Sequence, residues 1–417
     1  MEQFTKDKKR TAVVLLSLAA SLSVYLCIVT MLDSQAARTI VSNYMDTDMV
    51  IKNDTACKEK SEDRRDILDD SFVKSIKENA GVSEVHSMIF AEITVPWEPD
   101  FAEIWMKEFY AKWMSIPYSK EKDEYQNHPE NFGSSLIGID EQEFDYLNNS
   151  LEHPINKGDF RSGKACIVYR NGLDLADADI IGKNVTCALY EDQQTTKTFT
   201  IEGITDENYY TALLGYPPTI IACDQVVKTF ANHPITLKTS IKYRKEYDRD
   251  TEQEILALLE ENDNAKDFSW ESKIEDADEI EKAQGNMPQV GIGIVLILAF
   301  IGIMNYMNTF VVNVQSRMME LSVMESIGMT PKQILGMLVR EGVLYAGGAW
   351  LVTLTVGMGA TYLLYESMNY RGIAFSVSLL PLLFAVGISL LVCTMVPVLT
   401  WIVLEKNGTV VERIKGV

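Results

Sequence analysis

The side chains that most often do chemistry are present in this 417-residue chain, but their spacing fits no reaction centre. The four histidines, at positions 86, 128, 153 and 233, lie far apart, and three of them precede proline, so they give no metal-ligand spacing. No GxxxxGKS or GxxxxGKT phosphate loop, GxSxG elbow or CxxC pair occurs. We therefore predict that the chain is not an enzyme and holds no metal or cofactor of its own.

The informative spacing lies between two apolar runs, where the sequence carries a helix stop followed by a helix start. Gly328 can adopt the left-handed conformation that ends a helix. Thr330 can cap the next helix, Pro331 suits its first position, and Gln333 completes a capping box. Residues 317–340 therefore predict a rigid helical elbow at a membrane face, which could receive force from another protein. The alternative is an ordinary cytoplasmic loop.

The chain contains four apolar stretches, two of which flank the elbow. Each is long enough to cross a bilayer, which needs about 20 residues. They are residues 11–32, 289–313, 342–365 and 375–403. No Asp, Glu, Lys, Arg or His occurs in 12–32, 289–316 or 375–403. Because carriers driven by protons or ions usually keep such groups at mid-depth, this pattern disfavours a secondary transporter.

The positions of basic residues predict the orientation of these spans, since cytoplasmic loops are enriched in Lys and Arg. Basic residues adjoin the start of the first span, fill the elbow and follow the fourth span: Lys6, Lys8, Lys9, Arg10, Arg317, Lys332, Arg340, Lys406, Arg413 and Lys415. The short loop between the third and fourth spans has only Arg371. We predict a multi-pass protein of the bacterial plasma membrane, with cytoplasmic termini and elbow and a retained first span.

The polar region between the first two spans, residues 33–287, carries the acidic excess of the chain, whose net charge is −21. The remaining segments are slightly basic. A domain this acidic is not steered to nucleic acid or to anionic lipid. We interpret the charge as a solvated exterior surface.

Strand and helix patterns alternate along this exterior region. Strands are predicted for residues 48–53, 83–95, 217–222 and 235–243, and helices for 66–79, 224–232 and 249–262. These units, from both ends of the region, predict one α/β lobe, and the strand-rich middle, about 130–215, predicts a second lobe inserted in it. The predicted fold is a membrane α-helical chain of four transmembrane helices, with a large extracytoplasmic α+β domain of two lobes between helices 1 and 2.

An aromatic stripe separates the two predicted lobes. Phe101, Trp105, Phe109 and Trp113 recur every four residues within 101–114. The stripe could grip a hydrophobic ligand or touch the membrane, but its near-balanced charge argues against a membrane surface. Packing against the lobe is the favoured interpretation.

Four cysteines lie in the exterior region, where disulfides are permitted. They are Cys57, Cys166, Cys187 and Cys223. Four cysteines allow three connectivities, and the sequence does not choose among them or show that any bond forms. Cys27 and Cys393 fall in spans and are interpreted as packing residues.

The layout of the chain and the residues of the elbow resemble the FtsX-like, MacB-type permeases of ABC transporters. The match consists of Arg317-x-x-Glu320, the run Ser326-Ile327-Gly328-Met329-Thr330, then Gln333 and Glu341-Gly342. The final VVERIKGV (410–417) is also similar, and looser matches occur at KRTAVVLLSLAASLSV and in GDFRSGKACIVYR with TFTIEGI. Because the KRT start also resembles the middle of larger permeases, the chain could be one half of such a protein.

The resemblance implies a domain plan and a mechanism. The plan is a cytoplasmic tail (1–10), a first span (11–32), a MacB-like core domain (33–287) and an FtsX-like permease domain (288–417). A separate cytoplasmic ATPase, which binds the ATP, would dock on the elbow and drive motion of the exterior domain, to export or release a lipid, lipoprotein or peptide. A second permease unit, identical or homologous, would complete the assembly. The residues implied in coupling are Arg317, Glu320, Glu325, Ser326, Ile327, Gly328, Met329, Thr330 and Gln333.

Other functions stay open at this point. One is a regulatory protein of the same fold that activates an extracellular cell-wall hydrolase, and another is a permease for sensing or resisting antimicrobial peptides. A third is a sensor that does not depend on ATP.

Overall fold

The computed structural model describes residues 8–114, 116–213, 215–231 and 234–406, and it divides into two compact units. One unit comprises Met1–Tyr44 with Ala277–Val417. The other comprises Met45–Asp276 and is called the inserted unit below. The VVERIKGV match and the Lys6, His233, Arg413 and Lys415 positions lie outside the described residues.

The helices alternate with the strands in the second unit and dominate the first. In chain order they are α1 (Lys8–Ser34), α2 (Ala37–Tyr44), α3 (Thr55–Lys58), α4 (Asp70–Lys77), α5 (Ala102–Trp113), α6 (Lys122–Asn127), α7 (Glu141–Ser150), α8 (Lys157–Arg161), α9 (Asp177–Ile180), α10 (Asp224–Phe230), α11 (Arg249–Glu260), α12 (Lys273–Gln284), α13 (Met287–Ser316), α14 (Met318–Ser326), α15 (Pro331–Val352), α16 (Met358–Met368) and α17 (Leu379–Lys406). A π-helical turn, Thr353–Gly357, joins α15 to α16.

Among the described residues, nine strands form the sheet of the second unit. They are β1 (Met49–Asn53), β2 (Val82–Thr94), β3 (Gly133–Ile139), β4 (Ala165–Tyr169), β5 (Asn184–Leu189), β6 (Thr196–Thr205), β7 (Ile220–Cys223), β8 (Ile235–Tyr243) and β9 (Phe268–Ser272). The order is β3-β7-β4-β6-β5-β2-β8-β1-β9, and β3 also pairs with β2.

The long strand β2 belongs to both parts of this sheet. Its first part pairs with β8, which leads on to β1 and β9. Its second part pairs with β3 along one edge, from Ile89 to Thr94, and with β5 along the other, at Ile93 and Thr94. The strands β2, β3, β7, β4, β6 and β5 therefore close into a ring, and β2 connects this ring to the four-stranded part.

The aromatic stripe packs into the core of the ring. Phe101 and Trp105 are fully buried, in one hydrophobic cluster with residues from all six ring strands. The indole N–H of Trp105 donates to the carbonyl oxygen of Tyr216 at 3.1 Å. Trp113 is exposed at the end of α5, but its indole N–H donates to the carbonyl oxygen of Asn171. The geometry favours packing over a ligand grip for the buried members of the stripe.

A polar contact joins β2 to the first turn of α7, which follows β3. Nδ1 of His86 lies 2.7 Å from the carboxylate of Asp140, and Asp140 also accepts hydrogen bonds from the backbone N–H groups of Gln142 and Glu143. The hydrogen bond to Asp140 raises the pKa of His86 above its usual value.

The predicted helix at 66–79 is shorter than expected, because side chains at its start bond elsewhere. Asp69 is the N-cap, and its carboxylate accepts from the N–H of Phe72, so α4 begins at Asp70. The carboxylate of Asp66 accepts from the N–H of Thr236, which holds the preceding residues against β8.

All six cysteines are free thiols in the structure. Cys166 lies on β4 and Cys187 on β5, and β6 lies between these strands. Two strand spacings amount to about 10 Å, which exceeds the separation of about 7 Å that a disulfide can bridge.

The four helices expected to span a membrane are present, which together with the sheet unit between the first and second confirms the predicted fold class. The candidate spans are Ala12–Ser34, Met287–Ser316, Pro331–Met368 and Leu379–Val403. The third begins within the predicted elbow rather than after it, because α15 continues from the restart at Pro331 without a break.

The third span packs closely on the first at the π-helical turn. The hydroxyl of Thr353 donates to the carbonyl oxygen of Ala19 at 3.3 Å, and a Cβ at Gly357 would lie 2.3 Å from the hydroxyl of Ser23. Small residues of this kind let membrane helices approach each other, since lipid supplies no hydrophobic drive for their association.

Candidate coupling site

The elbow consists of α14 and the turn that joins it to α15. Gly328 has φ of +106°, a value that favours glycine. Its N–H donates to the carbonyl oxygen of Glu325, and the N–H of Met329 donates to that of Met324, both at 3.1 Å. These two bonds form a Schellman motif, which satisfies carbonyl groups at the end of α14.

The restart of the helix has the capping box predicted from the sequence. The backbone N–H of Thr330 donates to the side-chain oxygen of Gln333 at 2.9 Å, and Pro331 occupies the first helical turn. Because stop and restart are both satisfied locally, the turn is well determined by residues 325–333 themselves.

An ion pair braces the elbow against the third span. The guanidinium of Arg317, at the junction of α13 and α14, lies 2.9 Å from one carboxylate oxygen of Glu341 and 3.0 Å from the other. Only 12% of each side chain is exposed. The hydroxyl of Tyr345 donates to Glu341 at 3.4 Å and accepts from the amide of Asn313 at 3.3 Å, so the contacts continue from α15 back to α13.

Sequence reasoning singled out Arg317 but not Glu341 as its partner. Glu320, which the resemblance pairs with Arg317 in one motif, lies 4.0 Å away with 59% of its side chain exposed. The signal available in the sequence was the position of Glu341, an acidic residue at the start of an apolar span, where an uncompensated charge is costly.

The third and fourth spans touch directly beside this ion pair. A Cβ at Gly342 would lie 2.0 Å from the carbonyl oxygen of Cys393. Pro397 lies within α17 and has no N–H, so the carbonyl of Cys393 lacks its usual helical donor. Gly342 therefore packs against the backbone that Pro397 leaves uncovered.

One face of α14 carries a row of exposed apolar side chains. Met319 and Val323 on α14 and Ile327 directly after it, spaced four residues apart, are 63%, 47% and 80% exposed, whereas Leu321 and Ser322 are buried. Such a row, at the end of a helix and outside the apolar spans, is typical of a surface that a partner covers. The sequence analysis did not single out Met319 and Val323 as surface residues, although they recur with Ile327 at intervals of four residues, which was a usable signal.

The predicted coupling residues divide between this surface and its support. Arg317, Glu325 and Met329 are partly buried, and the exposed members are Glu320, Ser326, Ile327, Gly328, Thr330 and Gln333. The structure thus brings all nine into one short segment. Their role in coupling stays a prediction.

The ion pair yields a first test. Replacing one partner of a largely buried pair leaves the other charge uncompensated, which costs about 3–5 kcal/mol. We expect Glu341→Gln to lower the melting temperature of the full chain in detergent strongly. Glu320→Gln is the matched control and should change the free energy of unfolding by less than about 0.5 kcal/mol. Equal effects of the two substitutions would show that the Arg317–Glu341 pair does not brace the elbow.

The glycines of this region provide a second test. We expect Gly342→Ala to destabilise the chain most, because its Cβ meets backbone, and Gly328→Ala to cost about 1–2 kcal/mol at its left-handed φ. Gly336→Ala is the control, since nothing lies within 4 Å of its Cβ and alanine favours a helix by about 1 kcal/mol. Thermal unfolding in detergent measures the order. A Gly342→Ala variant as stable as Gly336→Ala would contradict the close helix contact.

Comparisons with known proteins bear on the part of the chain that holds the elbow. Residues 292–406 match the family described as FtsX-like permease C-terminal. No curated protein sequence matches the chain.

Two solved structures are similar to parts of the chain at low identity. The periplasmic region of MacB from Actinobacillus actinomycetemcomitans is 16% identical, with a TM-score of 0.33, and the match covers 59% of this chain and 99% of that one. The extracellular domain of the ABC-type transporter YknZ from Gram-positive bacteria is 12% identical, with a TM-score of 0.28, and the match covers 49% and 87%. Likeness at these scores carries no further conclusion. The family match is the finding that bears on the elbow: residues 292–406, which include it, are similar to the C-terminal part of FtsX-like permeases.

Proposed function

We propose that the chain is the permease subunit of an ABC transporter of the mechanotransmission type. A separate cytoplasmic ATPase binds the elbow and ATP, and its motion is relayed through the spans to the unit formed by Met45–Asp276. The result is export or release of a lipid, lipoprotein or peptide on the outer side of a bacterial plasma membrane. The observation that carries the proposal is the exposed apolar row on a helix that is braced at both ends.

The bracing gives the elbow the stiffness that force transmission needs. Arg317 ties the start of α14 to Glu341 on α15, and the Schellman turn at Gly328 ties its end to Pro331. A push on α14 therefore acts on α13 and α15 together. The chain passes between the units after α2 and within α12, which leads into α13, so motion of α13 is passed along the backbone to the inserted unit.

The composition of the spans supports relay rather than carriage of a polar substrate through them. Residues 12–32, 289–316 and 375–403 contain no Asp, Glu, Lys, Arg or His. The polar groups of the first two spans serve helix contacts instead, as in the hydrogen bond from the amide of Asn305 to the hydroxyl of Ser17 at 2.6 Å.

A second permease unit, identical or homologous, is part of the proposal. Asn308 is exposed near the middle of α13, where an amide facing lipid is unfavourable and one facing another helix is not. We propose that this face of α13 contacts the second unit.

The proposal predicts which substitutions release the ATPase. We expect Ile327→Asp to reduce copurification of the coexpressed ATPase by about thirtyfold, because an apolar anchor at an interface centre is worth about 2 kcal/mol. Tyr190→Asp is the control, an exposed apolar residue of the inserted unit that should have no effect. Normal copurification and turnover with Ile327→Asp, or ATP hydrolysis by the purified chain alone, would refute the proposal.

A further inference from the structure

A cavity of about 920 Å³ lies among α1, α13 and α17, and its walls are mainly apolar. This volume is at the upper end of the range of small-molecule sites, about 300–1,000 Å³. The lining side chains include Leu22 and Val29 from α1, Val295 and Ala299 from α13, and Phe384 and Ile388 from α17.

The cavity lies toward one end of each of these three helices and is open on one side. It is lined by residues 18–36 of the first span region, 287–303 of the second and 381–392 of the fourth, which are the parts of these helices farther from the elbow. Ile292, Leu296 and Phe384 line it and are nevertheless well exposed, so a molecule in the surrounding hydrocarbon can reach it directly.

Most polar side chains of the lining stand at the end of the groove away from the elbow, and Ser21, Tyr25 and Ser389 lie deeper in the wall. Asp33, Gln35, Gln284 and Arg371 line this end. The carboxylate of Asp33 accepts a hydrogen bond from the hydroxyl of Ser378 at 2.8 Å. Among the described residues no carboxylate pairs with Arg371, whose guanidinium lies 5.4 Å from the ring centroid of Tyr370.

The loop that presents Arg371 is held in place by its own hydrogen bonds. The amide of Asn369 donates to the carbonyl oxygen of Ile373 at 2.7 Å and its oxygen accepts from the N–H of Ile373 at 3.0 Å. Gly372 supplies the positive φ that this turn requires. The carbonyl oxygen of Arg371 accepts from the amide of Asn43. Arg371 is thus placed at the groove by a built turn.

We infer that this groove binds a phospholipid whose headgroup carries both a phosphate and an ammonium group. An acyl chain fills the apolar part between α1, α13 and α17. The phosphate binds the guanidinium of Arg371, a pairing that the planar donor geometry of arginine favours, and the ammonium faces Asp33.

The charges at the mouth select this headgroup over simpler lipids. A diacylglycerol has no phosphate for Arg371, and a purely anionic lipid has no ammonium group for Asp33. The inference goes beyond the proposed function, because lipid binding at this groove does not require the ATPase or its coupling to the elbow.

The test uses the full chain in nanodiscs that contain equal amounts of phosphatidylethanolamine, phosphatidylglycerol and diacylglycerol. Native mass spectrometry identifies the lipid that stays bound on release from the disc. A phosphatidylethanolamine with a photoreactive acyl chain locates it by cross-linking. We expect retained phosphatidylethanolamine, with adducts concentrated on Val29, Val295 and Phe384 rather than on Leu363, which is exposed outside the groove.

Two pairs of variants separate the headgroup contact from the apolar contact. Arg371→Gln should reduce retention about fivefold, whereas Lys282→Gln, a nearby exposed charge outside the lining, should not. Ala299→Trp should fill the groove and remove the adducts, whereas Ile294→Trp on the opposite side of the same helix should leave them.

Several results would overturn the inference. They are retained lipid of the same composition as the disc, equal labelling of Leu363 and the groove, and no effect of Ala299→Trp. Cross-links in the groove to a second copy of the chain would also overturn it, because a protein helix would then be the occupant. None of these outcomes depends on the ATPase, so the inference and the proposed function fail separately.

Discussion

The ion pair between Arg317 and Glu341 is the interaction on which the rest of the elbow depends. Both side chains are largely buried at the edge of the apolar spans, where the attraction between unit charges is stronger than in water and a lone charge is costly. The pair fixes the junction of α13 and α14 against the middle of α15. Gly342, the next residue, then sets the distance between α15 and α17. With these contacts made, α14 holds its apolar row in a defined position.

The sequence alone predicted the turn at Gly328 but not the ion pair between Arg317 and Glu341 that braces it. The turn depends on residues close together in the chain, whereas the ion pair does not. Gly328, Thr330, Pro331 and Gln333 act on backbone groups within a few residues, so their spacing predicted the stop and restart that the structure shows. Glu341 is far from Arg317 along the chain, and no local pattern marks two such residues as partners. The nine predicted coupling residues lie in one short segment, and their role in coupling stays a prediction, while the partner that positions Arg317 was missed.

The same distinction holds for the inserted unit. Apolar residues predicted its strands, as a continuous run in KACIVY and in alternation with polar residues in ITLKTSIKY, because both patterns are local signals of a strand. Closure of the ring depends on pairing of β2 with β3 along one edge and with β5 along the other, and such register between distant strands leaves no local signal. The start of α4 was misplaced because the carboxylate of Asp66 bonds to β8 rather than to its own helix.

The claim at the centre of this account is that α14 and the turn after it are where a cytoplasmic ATPase binds. Hydrogen–deuterium exchange of the full chain in nanodiscs, with and without the coexpressed ATPase, measures this directly. The account predicts slower exchange in peptides covering residues 318–333 when the ATPase is bound, with no comparable change in the strands of Met45–Asp276 before ATP is added. Unchanged exchange across 318–333, together with protection elsewhere on the chain, would contradict it.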